Sequence, residues 1–191
     1  MIMRGLALSL LLTCTTISAS AAGRMIETTG VLTAGERTLR AGDELPNSEV
    51  RLASGTATLA IKGGRFLLKG PARLTPRKTS FRLNLGSLLS VLKHSADRRF
   101  SVRTPSAVAS VRGTDFFVKV DARRSVDICI CKGAIEVTAK GMKKLPLASQ
   151  HHLNYRFWSV KSDTVHEEAH MSDHSDEELD ILRSLLAAEK P

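Results

Sequence analysis

From Met25 to Val160 the apolar residues recur at every second position within short runs. Leu59 and Ile61, Leu83 and Leu85, and Val126, Ile128 and Ile130 are spaced in this way. A period of two puts such residues on one face of a strand and the intervening Arg, Lys, Thr and Ser on the other. Turn signals separate the runs at Ala41-Gly42-Asp43, Ser54-Gly55, Gly63-Gly64, Gly70-Pro71, Gly86 and Pro105. Strands this short and one-sided predict an all-β domain, sandwich-like, roll-like or wrapped like a solenoid. A parallel sheet covered by helices would need helical segments between the strands, and none is visible before residue 163.

One run breaks its own alternation. In "TPSAVASVRGTDFFVKVD", Thr104 to Asp121, the residues Ala107, Ala109, Val111 and Gly113 occupy odd positions, and Phe116, Val118 and Val120 occupy even ones. An extra residue near Gly113-Thr114-Asp115 keeps both sets facing the core, which is what a β-bulge or tight bend does. Arg112 and Asp115 flank that bend and are expected to pair across it.

After Val160 the pattern changes. Ser175 and Glu178 have the S-x-x-E spacing of a capping box. Leu179, Leu182 and Leu186 then fall at i, i+3 and i+7, with acids in the first turn and Lys190 near the end, as a helix dipole favours. A helix of this length is marginal alone, so its leucine stripe is expected to dock on the β body.

The run from Thr104 to Asp121, followed by "VDICICKGAIEV", resembles the signature of FecR-like domains. The residues that carry the resemblance are Thr104, Pro105, Arg112, Gly113, Thr114 and Phe116. "LRAGDEL", "LASGTATLAIKGG" and "LNLGSLLSVL" are similar to that family's preceding strands, so the likeness runs from about residue 25 to 150. It implies a FecR-type β domain, which with the strand pattern is placed over 25–160; the residues after it read as an acidic tail with a short amphipathic helix over 161–191. It further implies a periplasmic or cell-surface, non-enzymatic module that binds a protein partner and relays a signal.

The first residues qualify that picture. Arg4, the apolar run Leu6 to Ile17 and the small-x-small pattern Ala19-Ser20-Ala21 read as a cleavable signal peptide over residues 1–21. A lipid anchor at Cys14 is the alternative. The regulators of the family carry a cytoplasmic segment before a membrane helix, so a leader here implies a stand-alone exported protein, soluble after cleavage. Direct control of a cytoplasmic sigma factor is not expected of it.

Charge is unevenly distributed. Residues 163–191 hold nine acids and two bases, which leaves 26 bases and 10 acids in residues 1–162. The body is therefore formally +16 and the tail −7. Behind a signal peptide a basic body points to anionic envelope polymers, lipid head groups or an acidic protein face, or to a solvated surface partly neutralised by its own tail, and not to nucleic acid. Binding of peptidoglycan or another anionic glycan is thus the alternative to a protein partner.

Three constellations could carry chemistry. His166-Glu167-Glu168-Ala169-His170 matches HExxH, the zinc-peptidase spacing that needs two histidines on one helical face. His174 continues that face. No glycine turn follows His170, and Thr164 and Glu167 make a second capping-box spacing, so a solvated tail is the favoured reading. Cys129 and Cys131 alternate with Ile128 and Ile130, so both sulfurs are expected to point away from the aliphatic face. Their i, i+2 spacing strains a disulfide between them. Tyr155, Phe157 and Trp158 are expected to plug the core near the last strand, with a glycan-stacking platform as the alternative. Neither a GxGxxG nor a phosphate-loop pattern occurs. The sequence assigns no catalytic residue, no cofactor and no metal ligand.

Overall fold

The computed structural model describes residues 21–95, 99–161, 163–170 and 173–189. The expected signal peptide and Cys14 lie outside the described residues, Ala21 excepted.

The chain opens with short strands: β1 (Gly23–Thr28), β2 (Leu32–Ala34), β3 (Arg37–Thr38), β4 (Glu44–Leu45), β5 (Val50–Leu52) and β6 (Thr56–Ile61). Two long strands follow, β7 (Gly64–Arg77) and β8 (Ser80–Leu92). Then come β9 (Phe100–Arg103), β10 (Val108–Val111), β11 (Asp115–Val120) and the long β12 (Val126–Thr138). The last described strands are β13 (Leu145–Ser149), β14 (Leu153–Val160) and β15 (Asp163–Ala169), and the last described element is α1 (Asp176–Ala187). Among the described residues all fifteen strands belong to one hydrogen-bonded sheet. Pairing is antiparallel throughout except between β8 and β9, so the strands return beside one another and do not stack as parallel rungs. The sheet continues past Val160, because β15 pairs with β14 along its whole length.

Two of the expected breaks are bends inside long strands. Gly70-Pro71 does not end β7; it sits in a shift of register, where Lys69 faces Ser87 but Arg73 faces Leu85. Gly86 does not separate two strands; it lies within β8 at a φ of +92°. A Cβ there would meet the Ala72 Cβ at 2.5 Å and the Pro71 carbonyl oxygen at 2.7 Å, so only glycine allows the two bends to nest. On either side of Gly86 the buried residues change parity, from Phe81 and Leu83 to Leu88. β12 does the same about Gly133, from Ile128 and Ile130 to Ile135 and Val137. Each phase change lets one strand keep its aliphatic residues dry while the sheet folds over them.

The core inside this sheet is large and mainly aliphatic, with Phe66, Phe81 and Phe100 packed ring against ring at centroid distances of 4.7 to 5.2 Å. A second, smaller cluster lies on the opposite face of β8, β11 and β12. Leu89, Val91, Phe117, Cys129 and Cys131 meet Leu179, Leu182 and Leu186 of α1 there. The leucine stripe thus docks on the protein's own sheet, as its spacing predicts. Ser175 caps the helix with the full reciprocal box to Glu178, and the described helix ends before Lys190.

Candidate functional site

The 104–121 segment is built as a structural corner. The Thr104 hydroxyl donates to the Ala107 carbonyl at 2.7 Å and accepts from the Ala107 N–H at 3.0 Å, closing a turn around Pro105. Gly113 takes a φ of +79°, and a Cβ on it would lie 2.2 Å from the His94 Cα. The Thr114 hydroxyl donates to the Ala134 carbonyl at 2.7 Å. The register of β11 on β12 shifts between Asp115 and Phe116. Across that bulge Ala107, Ala109 and Val111 on one side and Phe116, Val118 and Val120 on the other all enter the main core. Arg112 stays exposed beside a shallow groove that His94, Arg99, Glu136 and Gln150 also line. Asp115 does not pair with Arg112 as expected. It accepts two bonds from Arg183 of α1, at 2.9 and 2.7 Å.

Chemically reactive groups gather on the other side of the sheet, under the start of α1. The alternation of β12 sends Ile128 and Ile130 into the main core and Cys129 and Cys131 to the helix-covered face. Both cysteines are free and buried. The Cys129 Sγ lies 3.5 Å from His152 Nδ1, and the Cys131 Sγ lies 3.3 Å from His174 Nε2. His152 stands at the entry to β14 with a left-handed backbone, φ +40°, and its Nε2 meets Asp176 Oδ1 at 3.1 Å. The His174 ring stacks on Phe117 with centroids 4.4 Å apart. The donor atoms of Cys129, Cys131, His152 and His174 all lie within 4.8 Å of one another.

The electrostatics follow from that packing. Its interaction with Cys131 pulls the Cys129 thiol well below the ordinary range; burial opposes this, and His174 and His152 add to it. The same interaction, then burial, pushes the Cys131 thiol up. The pair therefore yields one proton readily and holds the other. Burial pulls His152 down, but its bonds to Cys129 and Asp176 outweigh that and leave it raised. The His152 bond in turn holds the Asp176 carboxyl below its usual range.

Sequence reasoning saw the two sulfurs on one face but not the imidazoles that meet them. It puts His174 on a helical HExxH face and gives no role to His152. No regular spacing links residues 129, 131, 152 and 174, so only the pairing of β12 with β14 and the docking of α1 could bring them together.

The HExxH segment needs correction. Residues 166–169 lie on β15 and His170 just past its end; the strand puts Glu167 opposite Arg156 and His166 opposite Phe157. At a strand rise of about 3.3 Å per residue, His166 and His170 stand roughly 13 Å apart, too far to share one zinc ion. The expected cap at Thr164 is absent too: Thr164 is a buried strand residue whose hydroxyl donates to the Ser106 carbonyl at 3.3 Å. His166 instead stacks on Phe157, with centroids 5.6 Å apart. Phe157 is buried in the main core, as a plug would be, while Tyr155 and Trp158 are only partly covered.

The acidic tail also neutralises part of the basic body. Glu178 pairs with Lys69 at 2.6 Å, Glu189 with Arg65 at 3.5 Å, and Asp173 with Lys119.

Comparison with known proteins agrees with this architecture: a mostly antiparallel β body, bent by glycines and closed by one short helix. The family model described as FecR protein matches residues 27–136, more than half of the chain. The chain belongs to the FecR family. Two crystal structures of a candidate anti-sigma factor from Parabacteroides distasonis ATCC 8503, at 1.65 and 2.50 Å resolution, share the fold. Each has a TM-score of 0.54 and 12% sequence identity, over 63% of this chain. This chain spans 59% of the length of those structures. No curated protein matches it. Among the described residues no helix is long and apolar enough to cross a membrane.

Proposed function

We propose that this chain is an exported, non-enzymatic FecR-domain protein of the cell envelope that binds a protein partner in sensing or signal relay. The observation that carries the reading is the family match over residues 27–136. It is supported by the use the fold makes of the signature. Thr104, Gly113, Thr114 and Phe116 are spent on a turn, a bend, a bond to Ala134 and the core, so the motif builds a scaffold and leaves recognition to its surface. The fold is also that of a candidate anti-sigma factor. The binding surface we assign is the groove beside the corner, where Arg112, Arg99 and Gln150 are exposed.

A photoreactive residue at position 112 or 150, introduced in cells, tests the reading. The expected result is one reproducible protein adduct from both positions and none from exposed Ile181 on α1. Absence of any protein adduct, with salt-sensitive sedimentation of the purified chain on cell wall, would replace the protein partner by an anionic envelope polymer.

A further inference from the structure

Cys129 and Cys131 are two residues apart on one strand, so their sulfurs leave the same face of the sheet. That face is not open. Leucines of α1 cover it, and two imidazoles from distant parts of the chain fill what is left. A small apolar residue would satisfy the packing at either cysteine. Packing alone gives no reason for each sulfur to face a ring nitrogen.

The distances fit a particular ion. Zinc binds thiolate at about 2.3 Å and imidazole at about 2.0 to 2.1 Å, so the edges of its tetrahedron run from about 3.3 to 3.8 Å. The two sulfur–nitrogen separations, 3.5 and 3.3 Å, fall in that interval. The remaining separations stay within 4.8 Å, which leaves about 1 Å for small side-chain rotations to close around an ion of these bond lengths. The outer partner is present as well. His152 turns Nδ1 to the sulfurs while its Nε2 faces Asp176 Oδ1 at 3.1 Å. This is the carboxylate–histidine arrangement that fixes the tautomer and direction of a metal-binding imidazole. Phe117 holds the His174 ring flat from below.

We propose that Cys129, Cys131, His152 and His174 form a closed, four-ligand zinc site that fastens α1 to the sheet. Two thiolates and two neutral imidazoles cancel the charge of a divalent ion, which matters in a pocket walled by leucines. Cuprous ion with the same donors would leave a net negative charge there. Thiolate and imidazole donors exclude the hard cations Ca²⁺ and Mg²⁺. Four protein ligands fill the tetrahedron, so the site is structural or sensory and leaves no position for substrate. Binding releases the protons that the thiols still hold. The ligands come from β12, the entry to β14 and the residue before the cap of α1, so the ion links the tail to the body. The proposal stands independently of the identity of any protein partner.

Cobalt is the probe. The purified chain, kept reduced, is titrated with Co²⁺ and then with Zn²⁺. The expected result is one Co²⁺ per chain with thiolate-to-cobalt absorption in the near ultraviolet and the strong visible bands of tetrahedral cobalt, displaced one for one by Zn²⁺. Cys129→Ser and Cys131→Ser each lose most of the charge-transfer absorption. Asp176→Asn, on an exposed side chain, keeps the fold and lowers zinc affinity about 10- to 100-fold. A folded, reduced wild-type chain without the charge-transfer absorption overturns the proposal. So does zinc binding that survives Cys129→Ser/Cys131→Ser, which would place the ion elsewhere. If the cysteine variants do not fold, the wild-type spectrum and Asp176→Asn decide.

Discussion

Arg183 of the C-terminal helix holds Asp115, the first residue of β11 after the bend at Gly113-Thr114, through two bonds to one carboxylate oxygen at 2.9 and 2.7 Å. The two residues are 68 positions apart, and the pair ties the tail to β11. Arg183 also reaches Asp180 at 2.7 Å.

Replacing Arg183 by Ala leaves Asp115, whose side chain is only 13% exposed, without this partner. Because Arg183 is partly exposed, solvent screening reduces the loss to about 1 kcal/mol. Urea unfolding measures it. A double-mutant cycle with Asp115→Asn isolates a coupling of about 0.5–1 kcal/mol.

Gly113→Ala combines two penalties. The left-handed backbone costs an L-residue about 1–2 kcal/mol, and the added carbon would lie 2.2 Å from the His94 Cα. Gly35 has a similar φ of +59° with nothing within 4 Å, so Gly35→Ala isolates the first penalty. Thermal unfolding of both variants should show a clearly larger loss at Gly113. Equal losses would mean that the close approach to His94 is absent.

Phe116→Ala removes a fully buried ring of the corner and is expected to cost about 3–5 kcal/mol. The groove residue Arg112, exposed beside it, should change stability by less than about 0.5 kcal/mol when replaced by Ala. Denaturant midpoints separate the scaffold from the surface in this way.

The β architecture was legible in the sequence because alternation reports directly on which face is buried. The bend at Gly113 and the bulge after Asp115 were legible too, since a change of parity has few other causes. Gly86 and Gly70-Pro71 were read as ends of strands because a glycine bend and a turn carry the same local signal; only pairing partners distinguish them. The HExxH segment failed for a different reason. Its five residues carry no period strong enough to choose helix over strand, and pairing with β14 chose strand. The Cys–His cluster was half visible: the strand fixed the two sulfurs, while the imidazoles arrive through contacts that span 23 and 43 residues.

Since His166 lies on a strand and not on a helical turn with His170, Glu167→Gln should leave any peptide hydrolysis at background, and His166→Ala should leave zinc binding by the Cys–His cluster unchanged. Metal analysis of the variant beside the wild type checks the second point. Loss of zinc from His166→Ala would return that segment to consideration.

The tail covers the Cys129–Cys131 face of its own sheet, and the zinc site and the docking of α1 both require it. The direct measurement is the rate at which each of these thiols reacts with an alkylating reagent in the intact reduced chain with a chelator present, located by peptide mass spectrometry. Reaction is expected to be at least about a hundredfold slower than that of a free thiol, governed by local opening of α1, and faster after Leu182→Ala. Alkylation of both cysteines at the free-thiol rate, in a chain that remains folded, would show that this face stands open and would contradict the docking of α1.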